Sequence, residues 1–165
     1  MKKQNMNDKG FSLVELIIVI AIMAILIVVL APQYLRYVER SRNSTDMQNA
    51  RTIMTALETY AADPQVTDSI GPQGATITFK ITSAGGSIAV ANSGSETAAT
   101  KALTDSGLDI NKIKCSSKTV WSAYDLTATV LENGAVKWTA VSTGSDTQAF
   151  AKSMGFDAPA APGGP

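Results

Sequence analysis

Residues 11–32 read FSLVELIIVIAIMAILIVVLAP, an apolar block interrupted by one charge, Glu15, close to its start. Gly10 borders it on one side and Pro32 closes it on the other. Residues 11–31 would make about 32 Å of helix at ~1.5 Å per residue, close to the ~30 Å hydrocarbon thickness of a bilayer. Leu, Ile, Val and Ala fill every side of that helix, and a helix apolar all round is buried in lipid or in protein. Ahead of it, MKKQNMNDKG sets Lys2, Lys3 and Lys9 against Asp8, the positive start of a targeting segment. Arg36, Arg40 and Arg42 follow the block, so the charge count on its two sides does not fix an orientation.

Three ordinary readings meet this block. A cleaved secretory signal wants small residues at its exit, which Val29-Leu30-Ala31 nearly supplies, but Pro32 directly after them suits signal peptidase poorly. A permanent single-pass anchor fits the length yet leaves Glu15 unexplained, because a carboxylate inside the membrane costs roughly 2.5–3.5 kcal/mol. A soluble core helix would need a far larger domain to bury it.

Lys9-Gly10-Phe11-Ser12-Leu13-Val14-Glu15 resembles the prepilin processing site of type IV pilins and related pseudopilins. The resemblance covers roughly residues 9–62: a short basic leader, the G-F-S-L-V-E run, the apolar block and a proline at its end. It implies cleavage after Gly10 by a membrane prepilin peptidase that then methylates the new N-terminal Phe11. It also implies that Glu15 of one chain pairs with the Phe11 amine of its neighbour during assembly. Two opposite charges in a low dielectric attract strongly, and each removes the other's uncompensated cost. Pro32 lacks a backbone donor and clashes with the preceding turn, so a kink or local melting is expected there.

Totals point the same way. Lys and Arg balance Asp and Glu at 14 each, and residues 1–10 remove three lysines and one aspartate, leaving the remainder slightly acidic. Direct nucleic-acid binding is therefore not expected. There is no histidine and only one cysteine, Cys115. The usual general base, the commonest metal ligand and any internal disulfide are thereby absent, and no catalytic constellation, cofactor or metal is expected. Asp105 with Asp109, or Asp63 with Asp68, are read as solvated acids, since calcium takes six to eight oxygens and no dense acidic run is present. Cys115 either cross-links chains or is a small buried residue.

Beyond Pro32 the pattern stays helical to about Ala62. Met47, Ala50, Ile53, Met54, Leu57, Tyr60 and Ala61 form an amphipathic stripe, and Asp63-Pro64 ends it. Glu39, Arg42 and Asp46, three and four apart, are expected on the exposed face. Residues 11–62 would span about 78 Å, too long for a head of ~100 residues to cover, so the first half is expected to protrude. Tyr34, Tyr37 and Tyr60 suit a membrane edge better than a conducting stack.

Residues 63–74 read as a loop, residues 75–82 and 87–91 as strands around Gly85-Gly86, and residues 95–106 as a helix with Ser95 as N-cap and Gly107 as stop. Residues 118–131 and 135–142 flank Asn133-Gly134, a two-residue hairpin turn. A type I′ turn would pair Leu131 with Val136 and Thr129 with Trp138. That register puts Trp121, Leu131, Val136 and Trp138 on one face and Tyr124, Leu126, Val130 and Val141 on the other, both fairly apolar. Residues 150–156 suit a last docking turn, and residues 158–165 a flexible end.

The expected fold is α+β, a long N-terminal helix packed on an antiparallel sheet of about four strands, and it agrees with the pilin fold that the resemblance implies. The expected segments are a leader over 1–10, an apolar helix half over 11–31, an amphipathic half over 32–62, a head over 63–157 and a tail over 158–165. Many pilins staple their C-terminal region with a cysteine pair; here packing alone is expected to hold those loops. The implied function is that of a structural subunit, membrane-inserted as a prepilin and polymerised with identical subunits into an extracellular helical filament for adhesion or motility. Its implied partners are the bilayer, the peptidase and methyltransferase, and the pilus assembly machinery. A pseudopilin of a type II secretion or competence system, or a non-polymerising anchored binding domain, are the alternatives.

Overall fold

The structure, a computed structural model, describes residues 11–144 and 146–156. The leader expected at residues 1–10, with Gly10, and the tail expected at residues 158–165 lie outside the described residues. The described residues fall into two compact units that divide between Val38 and Glu39. One helix, α1, runs Leu13–Ala62.

In the first unit the α1 side chains from Leu13 to Leu35 are exposed, Leu, Ile, Val and Met among them. Eighteen consecutive residues there reach a mean hydropathy of 3.4, none buried within the chain, which is long and apolar enough to cross a membrane. Pro32 lies inside α1, and the helix continues through it; no melted turn is found at that residue.

The second unit is built where α1 becomes amphipathic. Ala50, Ile53, Ala56, Leu57 and Tyr60 are buried on one face, spaced three and four apart as the stripe requires. Complete burial of Ile53 or Leu57 stabilises the unit by roughly 1.5–3 kcal/mol each. Ala61, expected on the stripe, is exposed. The helix stops before Pro64, and Asp63 Oδ1 accepts the Gln65 N–H at 2.8 Å in place of a further helical turn.

Beneath this face lies a four-stranded antiparallel sheet of β1 (Thr76–Ile81), β2 (Gly86–Ala91), β3 (Ala123–Val130) and β4 (Val136–Thr143), ordered β2-β1-β3-β4. Ile77, Phe79, Ile81, Tyr124, Leu126, Ala128, Val130, Trp138 and Ala140 form its inner face and share one core with α1. Trp138 Nε1 donates to Glu58 Oε1 at 2.7 Å across that interface.

The hairpin departs from expectation. Val130 pairs with Val136 and Ala128 with Trp138, one residue away from the type I′ register. Gly134 sits at φ 77, its N–H donates to Leu131 O at 3.0 Å, and Leu131 N–H donates to Ala135 O at 2.8 Å. This is a three-residue loop ending in a left-handed glycine rather than a two-residue turn. A one-residue slip moves every β4 side chain to the other face. Trp138 thus joins Tyr124, Leu126 and Val130 inside, while Leu131 and Val141 turn outward.

The outer face is consequently polar, not apolar. Ala89, Thr78, Thr127 and Thr139 share one row, and Ala91, Thr76, Thr129 and Lys137 the next. The Thr78 and Thr127 hydroxyls bond across the strands at 3.0 Å.

Helix α2 (Glu96–Asp105) begins as read, with Ser95 Oγ accepting the Ala98 N–H at 3.1 Å. It ends at Gly107, φ 74, where Gly107 N–H reaches Thr104 O at 2.9 Å and Leu108 N–H reaches Leu103 O at 2.8 Å. Ala98, Ala99, Ala102 and Leu103 are buried in the core. Helix α3 (Ala149–Met154) delivers Phe150, stacked on Tyr124 at 4.1 Å and edge-on to Trp121 at 5.1 Å.

Candidate functional site

At the start of α1, Phe11 is almost wholly exposed, and Ser12 stands as the residue before the first helical position. Glu15 Oε2 accepts the Ser12 N–H at 2.8 Å, and Leu16 N–H donates to Ser12 O at 3.2 Å. Half of a capping box is therefore formed, in which an acid in the first turn satisfies a backbone donor that the helix leaves over. The negative charge also sits at the positive end of the helix dipole. Phe11, Ser12 and Glu15 fall within one turn, whereas Pro32 lies more than four turns further along and belongs to no common site with them.

A second set of groups, which the sequence reading misplaced, lies in the head. Glu39 and Asp46, expected on an exposed face, are buried, Asp46 completely. They sit two turns apart on the same side of α1 as Ala50, Ile53 and Leu57. Both clamp the segment that leads into β3. Asp46 Oδ1 accepts Ser116 N–H at 2.7 Å; its Oδ2 accepts Ser117 N–H at 3.0 Å, the Trp121 indole N–H at 2.9 Å and the Cys115 thiol at 3.5 Å. Glu39 Oε1 accepts the Ser117 hydroxyl at 2.7 Å and the N–H groups of Lys118 and Thr119 at 2.8 and 2.9 Å. Arg42 stays at the surface and reaches Glu39 at 3.4 Å. The loop is thus held by buried charge-assisted hydrogen bonds, and the expectation that packing alone would hold it does not stand.

Burial pushes the Glu39 carboxyl up, but the backbone donors of Thr119 and Lys118 and the Ser117 hydroxyl outweigh it and hold it at about 2 instead of 4.5. The sign follows. A depressed folded value gives stability that is complete above 4.5 and lost as the pH falls from 4.5 towards 2. That gap corresponds to about 3 kcal/mol. Acid titration of unfolding should show this loss in the parent chain, and Glu39→Gln should be weaker at neutral pH and flatter below pH 5. An unchanged acid limb in Glu39→Gln would remove Glu39 as its cause.

Burial, and then the charge of Asp46, push the Cys115 thiol up to about 12. Cys115 is buried and stays protonated, which favours the packing role over cross-linking. Among the described residues no group of three or more metal-ligating side chains converges. Asp68 is paired with Lys101 at 3.6 Å, and Asp109 Oδ1 accepts the Asn111 N–H at 3.1 Å.

The family model "Prokaryotic N-terminal methylation motif" matches residues 5–31. Type IV major fimbrial protein FimA of Dichelobacter nodosus is 43% identical over 61 residues, 37% of this chain and 38% of that protein. Prepilin peptidase-dependent protein A of Clostridium perfringens is 32% identical over 107 residues, 64% of this chain and 71% of that one. Type IV major pilin protein PilA of Myxococcus xanthus is 32% identical over 59 residues, 36% of this chain and 27% of that protein. The match spans little more than a third of the fimbrial relatives' length. No solved structure gives a significant match. With most of the Clostridium relative covered and the methylation motif in place, the chain belongs to the type IV pilin family.

Proposed function

We propose that this chain is a prepilin, inserted in the membrane through its first helix half, cut after Gly10, methylated on Phe11 and polymerised with identical subunits into an extracellular pilus. It performs no chemistry of its own. The observation that carries this reading is the start of α1, apolar on every side and exposed from Leu13 to Leu35, with Glu15 in its first turn four residues after Phe11. The names of the relatives, fimbrial, pilin and prepilin peptidase-dependent, support it. Before assembly its partners are the bilayer, the peptidase and methyltransferase, and the assembly machinery. Afterwards the filament serves adhesion or motility.

Mass spectrometry of the N-terminus decides the processing step. Material sheared from the cell surface should begin at Phe11 and weigh one methyl group more than that sequence. An intact lysine-rich start on surface protein would leave only an anchored domain.

A further inference from the structure

The charges cancel over the whole chain, and over the head some are paired, as Lys101 is with Asp68 and Lys152 with Asp146, while others are not. Lys118 N–H donates to Glu39 and Ser116 N–H to Asp46, so residues 116–118 lie alongside the 39–46 turns of α1. Lys112 and Lys114 border the same depression as Asn49 and Ser116. Arg40 and Lys118 at this end, Lys114 beside Asn49, and Arg51 further along are exposed, and none makes a salt bridge among the described residues. The acids here are engaged: Glu39 and Asp46 are buried in the clamp, and Asp109 pairs with Lys112 at 3.2 Å.

The other end of the same helix half carries the opposite sign. A cleft lined by Glu58, Ala61, Ala62 and residues 133–136 sets the β3–β4 turn, and with it Glu132, beside the last turn of α1. Asp63 lines the adjoining depression with Tyr60 and Gly134. Glu58, Asp63 and Glu132 are exposed and make no salt bridge among the described residues, while Asp68 nearby shares Lys101. Lys137 projects from the outer sheet face opposite Thr129. No basic residue stands in the last turn of α1, so the negative end of the helix dipole adds to the acids. Arg40 and Glu58 are separated by about 27 Å along the axis.

We infer that the head carries a head-to-tail contact for a second copy of this chain, in which Arg40, Lys114 and Lys118 of one copy seat against Glu58, Asp63 and Glu132 of the next. The inference rests on the filament reading above. Among the described residues, three cations without a salt bridge on the Arg40 side match three acids without one on the Glu58 side. Of these acids, the Glu58 side chain accepts only the Trp138 indole N–H and that of Asp63 only the Gln65 N–H. A contact between two different patches repeats without closing and generates a helical filament. Reversed, like-charged pairing costs several kcal/mol, so the arrangement also fixes filament polarity. An anionic lipid surface would satisfy the cationic end and leave the acidic end without a role.

Full-length chain, produced with its assembly machinery, is the test, with fibres sheared from cells and quantified. Lys114→Glu with Lys118→Glu reverses one end, and Asp63→Lys with Glu132→Lys reverses the other. Each set alone should cut fibre yield roughly tenfold or more. All four changes in one chain should restore fibres, and co-expression of the two sets should give mixed fibres, since each supplies the end the other lacks. Melting of each variant in detergent checks the fold, and Glu132→Lys alone serves where Asp63→Lys unsettles the turn at Gln65. Parental fibre yield from the single-end reversals overturns the contact. So does a loss that neither the fourfold chain nor co-expression repairs, which would point to another partner such as lipid headgroups. A parent chain that is processed yet makes no fibres overturns the filament reading itself, and the contact with it.

Discussion

Asp46→Ala is expected to lower the unfolding free energy by about 4 kcal/mol, a large share of the ~5–15 kcal/mol that holds a typical domain. The carboxylate accepts the Ser116, Ser117 and Trp121 donors at 2.7, 3.0 and 2.9 Å, in a position with no solvent exposure. Alanine removes the acceptor and leaves three donors facing a cavity. Each unsatisfied buried donor costs about 1–3 kcal/mol, partly relieved where water enters. Deleting the carboxylate also cancels its own desolvation penalty, but removing only one partner of a buried charged network is strongly destabilising. Asp46→Asn keeps one acceptor and turns an N–H group towards existing donors, so about half the loss is expected. Arg42→Ala, which touches only the half-exposed pair with Glu39 at 3.4 Å, should cost well under about 1 kcal/mol. Denaturant unfolding followed by tryptophan emission reads all three, because Trp121 loses its indole partner. A loss below about 1 kcal/mol for Asp46→Ala would show that the clamp is dispensable.

The clamp was written in the sequence but not where a charge pattern is usually sought. Glu39 and Asp46 continue the apolar stripe of Ala50, Ile53, Leu57 and Tyr60 backwards at spacings of seven, four, three, four and three. Judged by their distance from Arg42 they looked like partners on a solvated face. Judged by the stripe they stand at core positions, where an acid must find donors. Most of those donors are backbone N–H groups of residues 116–119, and no side-chain identity announces them. The hairpin register failed for a related reason. Asn133-Gly134 names a turn but not its length, and both lengths use a left-handed glycine. Alternation decides between them: Asp125, Thr127 and Thr129 on β3 belong opposite Val141, Thr139 and Lys137 on β4, and only the observed register joins those mostly polar rows. The helix, most strand positions and the Ser95 and Gly107 caps were legible because short-range periodicity and local hydrogen bonding determine them. The strand expected from residue 118, however, begins only at Ala123, since Glu39 takes the N–H groups of Lys118 and Thr119.

Glu15→Leu is expected to leave membrane insertion and N-terminal processing intact while cutting filament yield by about two orders of magnitude or more. Leucine relieves the roughly 2.5–3.5 kcal/mol that a carboxylate costs within the bilayer, so anchoring should tighten. Gly10 and Phe11, the residues proposed for cleavage and methylation, are unchanged. What disappears is the proposed charge pair with a neighbouring Phe11 amine, worth about 4 kcal/mol at 4 Å in an effective dielectric near 20. Each 1.4 kcal/mol is about tenfold in an equilibrium. The Ser12 N–H accepted by Glu15 at 2.8 Å supplies a competing explanation, since leucine also removes that cap, at a cost of about 1 kcal/mol. Glu15→Gln separates the two roles. Its amide oxygen can still accept the Ser12 N–H, but it carries no charge. If pairing governs assembly, Glu15→Gln should accumulate in the membrane as processed monomer, as Glu15→Leu does. Normal fibres from Glu15→Gln beside few from Glu15→Leu would assign Glu15 to the helix cap and leave the neighbouring amine without a partner.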